Sequence, residues 1–409
     1  MGRHYSTREF FRQMPNALLA RYFEAQGVLA EVDFGALKET QPDALFESWR
    51  VLPDDRQAAM DSEFREIFAL SCEKGFRAII DEADYQLGGT PAARDALVEH
   101  LGGLANDYER AMVTFLDHRK FWNAALLFYQ ADCLSYWRKR KNLPRVEPAV
   151  DRQSLQDLAG AISSYFHRTE GRGKHCMVEP LLRRGLHYFF AYPEDYSQNS
   201  VEWVKGTFAR RPHNPAFEVI FVYSPREASL DLYCRGAFKA VEPLQRIFSE
   251  IILKTPDLPP SPPDERVYDL DALRERNFEF VYDPSDGIHD VRVKKLRLTS
   301  MVKKGDRVTI EANAANARHA VYDLLETVAA SLPLRLYHVT QVEIAARVSV
   351  NTNKPPKSVT VTITYPNSCS LKYDDADVKL RRMLSDSGIQ LVEQAELDQS
   401  VALTEVLDA

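Results

Sequence analysis

Three times between residues 217 and 388 the chain repeats one order of patterns, in which two short apolar runs split by a turn are followed by an amphipathic helical stretch. The first unit has β-branched and aromatic runs at 217–223 and 230–234 around Ser224-Pro225-Arg226-Glu227, and a helix is expected over 241–254. The second sets 291–298 against 308–310 across Lys303-Lys304-Gly305-Asp306 and continues into a helix over 317–330. The third joins 337–350 to 358–365 through a turn at 351–357, and its helix over 375–387 is capped by Gly388. A hairpin cannot bury its apolar face alone. The units are therefore expected to form an antiparallel sheet or sheets with the three helices on one face, so the fold class is α+β. Their spacings are unequal and no residue signature recurs, which gives no ground for a solenoid.

The chain before these units reads as helical. Ser6-Thr7-Arg8-Glu9 is a capping box, and Phe10, Phe11, Met14, Leu18 and Tyr22 follow at helical spacing. Further helices are expected over 60–81, from Pro91 behind a Thr90 cap, and from 108 to 137. The last would end on Arg138, Lys139, Arg140 and Lys141, where cations face the negative end of the helix dipole. Another capping box at 154–157 starts a helix reaching about residue 166. Pro256, Pro259, Pro260, Pro262 and Pro263 exclude both helix and central strand and mark an extended connection. The expected organisation is a helical domain at 1–145, a mixed segment at 154–254 with the first hairpin-helix unit, and an α+β domain at 267–409 with the other two, joined through a Pro-rich linker at 255–266.

Composition narrows the function classes. With 45% hydrophobic residues among 409, the chain can bury a sizeable core, which excludes wholesale disorder. Lys plus Arg number 52 against 59 Asp plus Glu, a net charge of −7 that excludes a uniformly basic coat for nucleic acid. Charge-free stretches fall short of a bilayer span, so no membrane partner is expected. Glu9 and Arg12 interrupt the first apolar residues, so no secretory leader is expected either. Cys72, Cys133, Cys176, Cys234 and Cys369 lie far apart with no C-x-x-C pair, as reduced thiols in a cytoplasm would.

Ile79-Ile80-Asp81-Glu82-Ala83-Asp84 spells the acidic box of helicase-type ATPases, but no Gly-rich loop ending in Gly-Lys-Ser/Thr accompanies it, and its flanks are helical. There is no G-x-G-x-x-G, G-x-S-x-G or H-E-x-x-H, so no cofactor is implied. His167, His175, Cys176 and His187 lack the spacing of a zinc module. Asp374, Asp375 and Asp377 stand where a helix begins and its dipole favours carboxylates. Asp283, Asp286 and Asp290, with Lys294, are the residues a metal-dependent phosphodiesterase or nuclease would use, although 283–287 has the composition of a turn.

Charge placement points elsewhere. Residues 1–130 carry 14 basic and 21 acidic side chains, whereas residues 131–215 carry 14 and 9, so the sign reverses. Within the positive stretch Arg138, Lys139, Arg140, Lys141, Arg183, Arg184, Arg210 and Arg211 are interleaved with Trp137, Tyr188, Phe189, Phe190, Tyr192, Trp203 and Phe208. Cations for phosphates and rings for unstacked bases are the chemistry of single-strand binding. Arg292, Lys294, Lys295 and Arg297, with Lys303, Lys304 and Arg307 in the following turn, add a second basic surface. The expectation is a cytoplasmic binding protein working through surfaces, with nucleic acid, another protein or a second copy of itself as partner. The alternatives are the metal-dependent enzyme and a purely structural subunit.

Overall fold

A computed structural model describes residues 4–134, 137–204, 206–235, 238–256, 258, 267–303, 305–313, 317–349, 356–372 and 375–391. The chain divides into two compact units, one of Met1–Cys133 with Leu182–Arg184 and the other of Leu134–Leu181 with Gly185–Ala409. Among the described residues, no helix is long and apolar enough to cross a membrane.

The first unit holds α1 (Thr7–Gln13), α2 (Asn16–Ala25), α3 (Asp43–Arg50), α4 (Asp54–Leu70), α5 (Glu73–Leu87), α6 (Pro91–Gly103), α7 (Asp107–Asp117) and α8 (Arg119–Cys133). The Ser6 hydroxyl accepts from the Glu9 amide at 3.3 Å, one half of the expected capping box, while the Glu9 carboxylate takes Arg12 and Gln13 and does not reach back. Phe64 gathers the core, its ring centroid 4.9 Å from that of Phe10, 5.0 Å from Tyr22 and 5.5 Å from Phe11. The single helix expected over 60–81 is instead broken at Ser71 and Cys72. A Cβ on Gly75 would lie 2.2 Å from the Leu70 carbonyl oxygen, so glycine is what lets α5 start against the end of α4. The helix expected from 108 to 137 likewise divides at His118 and stops at Cys133.

The second unit contains β1 (Trp137–Arg140), α9 (Arg152–Glu170), β2 (Cys176–Arg183), β3 (Leu186–Pro193), β4 (Gln198–Val204), β5 (Thr207–His213), β6 (Val219–Ser224), β7 (Ser229–Cys234), α10 (Val241–Ile251), β8 (Ile288–Ser300), β9 (Arg307–Glu311), α11 (Ala320–Ala329), β10 (Tyr337–Val348), β11 (Lys357–Thr364), β12 (Ser368–Cys369) and α12 (Asp375–Asp386). Residue 183, the last of β2, counts with the first unit. Ten strands form one sheet in the order β2-β3-β6-β7-β1-β12-β11-β10-β8-β9, while β4 and β5 pair only with each other. The three expected hairpin-helix units are β6-β7-α10, β8-β9-α11 and β10-β11-α12, and their hairpins share this sheet. Gly388 closes α12 with a φ of +71°. The cap of α9 is Asp151, whose carboxylate accepts from the Ser154 amide, three residues ahead of the expected Ser154 start.

The four cations expected at a helix end lie in a strand and the residue after it. Trp137 and Lys139 are buried while Arg138 and Arg140 are half-buried, the alternation of a strand, and β1 is hydrogen-bonded on both edges, to β7 and to β12. Two sets of cross-strand bonds outweigh the few tenths to one kcal/mol, roughly, that a helix end offers a cation.

The three helices do not lie on one face. Directly opposed residues of an antiparallel pair share a face, and Arg138 opposes Leu232 and Ser368, whereas Trp137 opposes Cys369. Leu232 belongs to a core of Phe189, Phe221, Leu230 and Phe248 under α9 and α10. Cys369 belongs to a second core, of Val293, Leu296, Ile344, Ile363 and Leu380 under α11 and α12. The helices of the two halves therefore cover opposite faces, because each half of the sheet turns its apolar residues to a different side. In β8, Lys294 and Lys295 interrupt the alternation. The pairing steps from Val293 opposite Ile344 to Lys295 opposite Glu343, so Lys294 is the extra residue of a β-bulge that keeps Val293 and Leu296 both facing the core.

Most of the Pro-rich connection (257 and 259–266), most of the third hairpin's turn (351–355), Lys304 and Asp374 lie outside the described residues.

Candidate nucleic-acid interface

The β4–β5 ribbon is built around Gly206, whose φ of +75° suits a tight hairpin turn. Its register pairs Val201 with Arg210 and Trp203 with Phe208 on one face, and Ser200 with Arg211 and Glu202 with Ala209 on the other. The first face is the more exposed. Val201, Trp203, Phe208 and Arg210 are all open to solvent, Trp203 at 73%, whereas Ser200, Glu202 and Ala209 are half-buried. The Trp203 and Phe208 rings meet edge to face with centroids 5.7 Å apart. Arg211, on the opposite face, stands 3.6 Å from Glu202. The ribbon thus presents an apolar, aromatic surface with an arginine on it.

Its root is held by Arg172. This guanidinium donates to Glu170 and Asp195 at 2.8 Å and lies 3.9 Å from the Phe217 ring centroid and 5.3 Å from that of Tyr196. Burial by itself raises the Asp195 carboxyl, and the Arg172 hydrogen bond, the Tyr196 amide and the nearby Arg172 and Arg235 charges together more than reverse this, leaving it below the ordinary carboxylate range. Gly173 (φ +83°) follows, where a Cβ would stand 2.7 Å from the Phe166 Cβ.

Most of the other basic residues of the positive stretch are engaged within the protein. Arg183, 1% exposed, donates through Nε to Asp81 at 2.7 Å and through Nη1 to both Asp132 oxygens at 3.0 and 2.9 Å. Arg184 donates to Asp81 as well. Lys139 is 2% exposed, bonded to Glu227 and 3.9 Å from Asp231. Arg183 and Lys139 are thus buried in ion pairs where contacts to a polyanion were expected, because a charge taken out of water needs an opposite charge beside it. Arg138 is half-buried, and that burial lowers its pKa. Arg140 reaches Gln245 at 3.4 Å, and Lys141 donates to the Leu391 carbonyl. Trp137, Tyr188, Phe189 and Phe190 are buried and so are not rings for bases.

The acidic residues considered for a metal are engaged one by one. Asp283 accepts from the Ser285 amide at 2.7 Å, which lowers its pKa, in the turn its composition predicts. Asp286 lies 3.8 Å from Arg382, and Asp290 lies 2.6 Å from Arg292. Lys294 lies 3.3 Å from Glu311 and 3.6 Å from Glu343, and Lys295 is 3.4 and 3.1 Å from the same two carboxylates. Among the described residues no three His, Cys, Asp or Glu side chains are placed to hold a metal ion together.

Trp203, Phe208, Arg210 and Arg211 were legible as residue types, while Val201 and the ribbon itself were not. The missed signal is the alternation of Val201 and Trp203 before Lys205-Gly206 and of Phe208 and Arg210 after it. Compared with known protein families and with curated proteins, the sequence matches none.

Proposed function

We propose that this is a cytoplasmic nucleic-acid-binding protein that contacts its partner through the β4–β5 ribbon. The observation that supports the reading is the outward face of Val201, Trp203, Phe208 and Arg210, where large apolar side chains are turned to solvent beside a cation. Exposed apolar surface of this kind marks interaction sites. A two-stranded ribbon has the width of a duplex groove, rings stack on bases or wedge between base steps, and arginine takes phosphate or guanine. The five cysteines are all free thiols, which suits a reducing compartment.

The test is fluorescence anisotropy with labelled single-stranded and duplex oligonucleotides across a salt series. Trp203→Ala is expected to weaken binding by about 1–3 kcal/mol, the usual worth of a stacked ring. Arg210→Gln is expected to reduce the slope of log affinity against log salt by about one. Absence of binding by the unmodified protein at low salt, or no effect of either substitution, overturns the reading. Concentration-dependent mass abolished by Trp203→Ala would assign the ribbon to contact between copies instead.

A further inference from the structure

Along β8 the side chains on the face opposite the second core are Arg292, Lys295, Arg297 and Thr299. Their charges are matched as far as Lys295, by Asp290 for Arg292 and by Glu311 and Glu343 for the lysines. At Arg297 the pattern changes. Its cross-strand neighbours are Thr309 on β9 and Gln341 on β10, and the Gln341 amide is turned to Thr364 at 3.1 Å. Two residues on, Thr299 lies between Arg307 and His338. Arg297 and Arg307 are thus diagonal neighbours on adjacent strands, about 7–8 Å apart at the backbone.

Among the described residues neither arginine has a carboxylate partner, and the Arg297 Nε, shielded from solvent, has no hydrogen-bond acceptor. Burial first, and the Arg307 charge second, push the Arg297 guanidinium below its ordinary pKa. Threonine hydroxyls surround the pair, with Thr309 exposed and the Thr299 and Thr340 hydroxyls bonded to each other at 2.8 Å. We propose that Arg297 and Arg307 form a binding site for a phosphate group on the face of the sheet opposite the second core. Two guanidiniums on different strands approach an anion from different directions, which suits the several oxygens of a tetrahedral phosphate better than the two of a planar carboxylate. The site is separate from the ribbon and does not depend on the ribbon's assignment.

The test is calorimetric titration of the full chain with inorganic phosphate, alongside thermal unfolding in phosphate and in chloride at matched ionic strength. Phosphate is expected to bind and to raise the Tm more than chloride does. Arg307→Gln, at an exposed position, should keep the fold and weaken phosphate by about tenfold, the loss of one charge-assisted hydrogen bond. Arg297→Lys should weaken it comparably while keeping the charge. Displacement of phosphate by a single-stranded oligonucleotide, with both weakened by Arg307→Gln, would identify the ligand as a nucleic-acid backbone. No displacement, with oligonucleotide affinity untouched by Arg307→Gln, would identify a free phosphate or phosphomonoester. Equal effects of phosphate and chloride, or phosphate affinity unchanged in both variants, overturn the proposal. Trp203→Ala should leave phosphate binding intact in every case.

Discussion

Lys139, on the strand that joins the two halves of the sheet, donates its buried ammonium to Glu227 in the turn between β6 and β7. Burial alone raises the Glu227 carboxyl, and Lys139 above all, with Arg381 and the Ser229 hydroxyl, more than reverses this, so its pKa in the folded protein lies below the ordinary value. A carboxyl with a lowered folded pKa contributes stability that is present above the unfolded value, about 4.3, and lost as pH falls through the folded value. Urea unfolding of the wild type should therefore weaken more steeply below about pH 4 than that of Glu227→Gln, which has no such proton to take up. Parallel profiles for the two proteins would show that the pair carries no acid dependence.

Arg183 matches two buried carboxylates, those of Asp81 and Asp132. Arg183→Met should cost about 3–5 kcal/mol, because it leaves both charges buried without that partner. Adding Asp132→Leu to Arg183→Met should recover part of the loss, since an apolar replacement removes a buried charge that has lost its Arg183 bonds. Equilibrium denaturation of the single and double variants measures both. A double variant weaker than the single would mean that packing of the Asp132 carboxylate, and not its charge, is what matters there.

Gly75 permits the close approach of α5 to the end of α4. Gly75→Ala would set a methyl group 2.2 Å from a backbone oxygen that cannot retreat without opening α4. A loss of about 3 kcal/mol or more is expected, read as a lower Tm. Gly102→Ala, where a Cβ meets nothing within 4 Å inside a helix, should be neutral or stabilising.

The sequence carries much of this fold in local pattern. Ser6 and Glu9 specify a helix start by chemistry within four residues, and the three hairpins carry both their strands and their turns in adjacent sequence. What local pattern does not carry is pairing between distant segments. Arg138 to Arg140 looks like a helix end because the strands that flank it, β7 and β12, lie far along the chain. The same limit hides the opposite coverage of the two half-sheets, which follows from a register at β1 and from no feature of any one strand. The candidate surface was half legible for a related reason. Its cations and rings can be counted, but whether a ring such as Phe190 is buried or one such as Trp203 is exposed depends on which strands stack against others.

The position of β1 sets an order on synthesis. As the chain leaves the ribosome, the strand at 137–140 gains its first neighbour only when β7 has emerged, and its second only with residues 368 and 369. For that interval the nascent sheet ends in an open edge of unsatisfied amides and carbonyls. Charged side chains on such an edge, lysine above all, discourage pairing with other chains. Arg138, Lys139 and Arg140 give that edge the charged character that disfavours such pairing until β12 covers it.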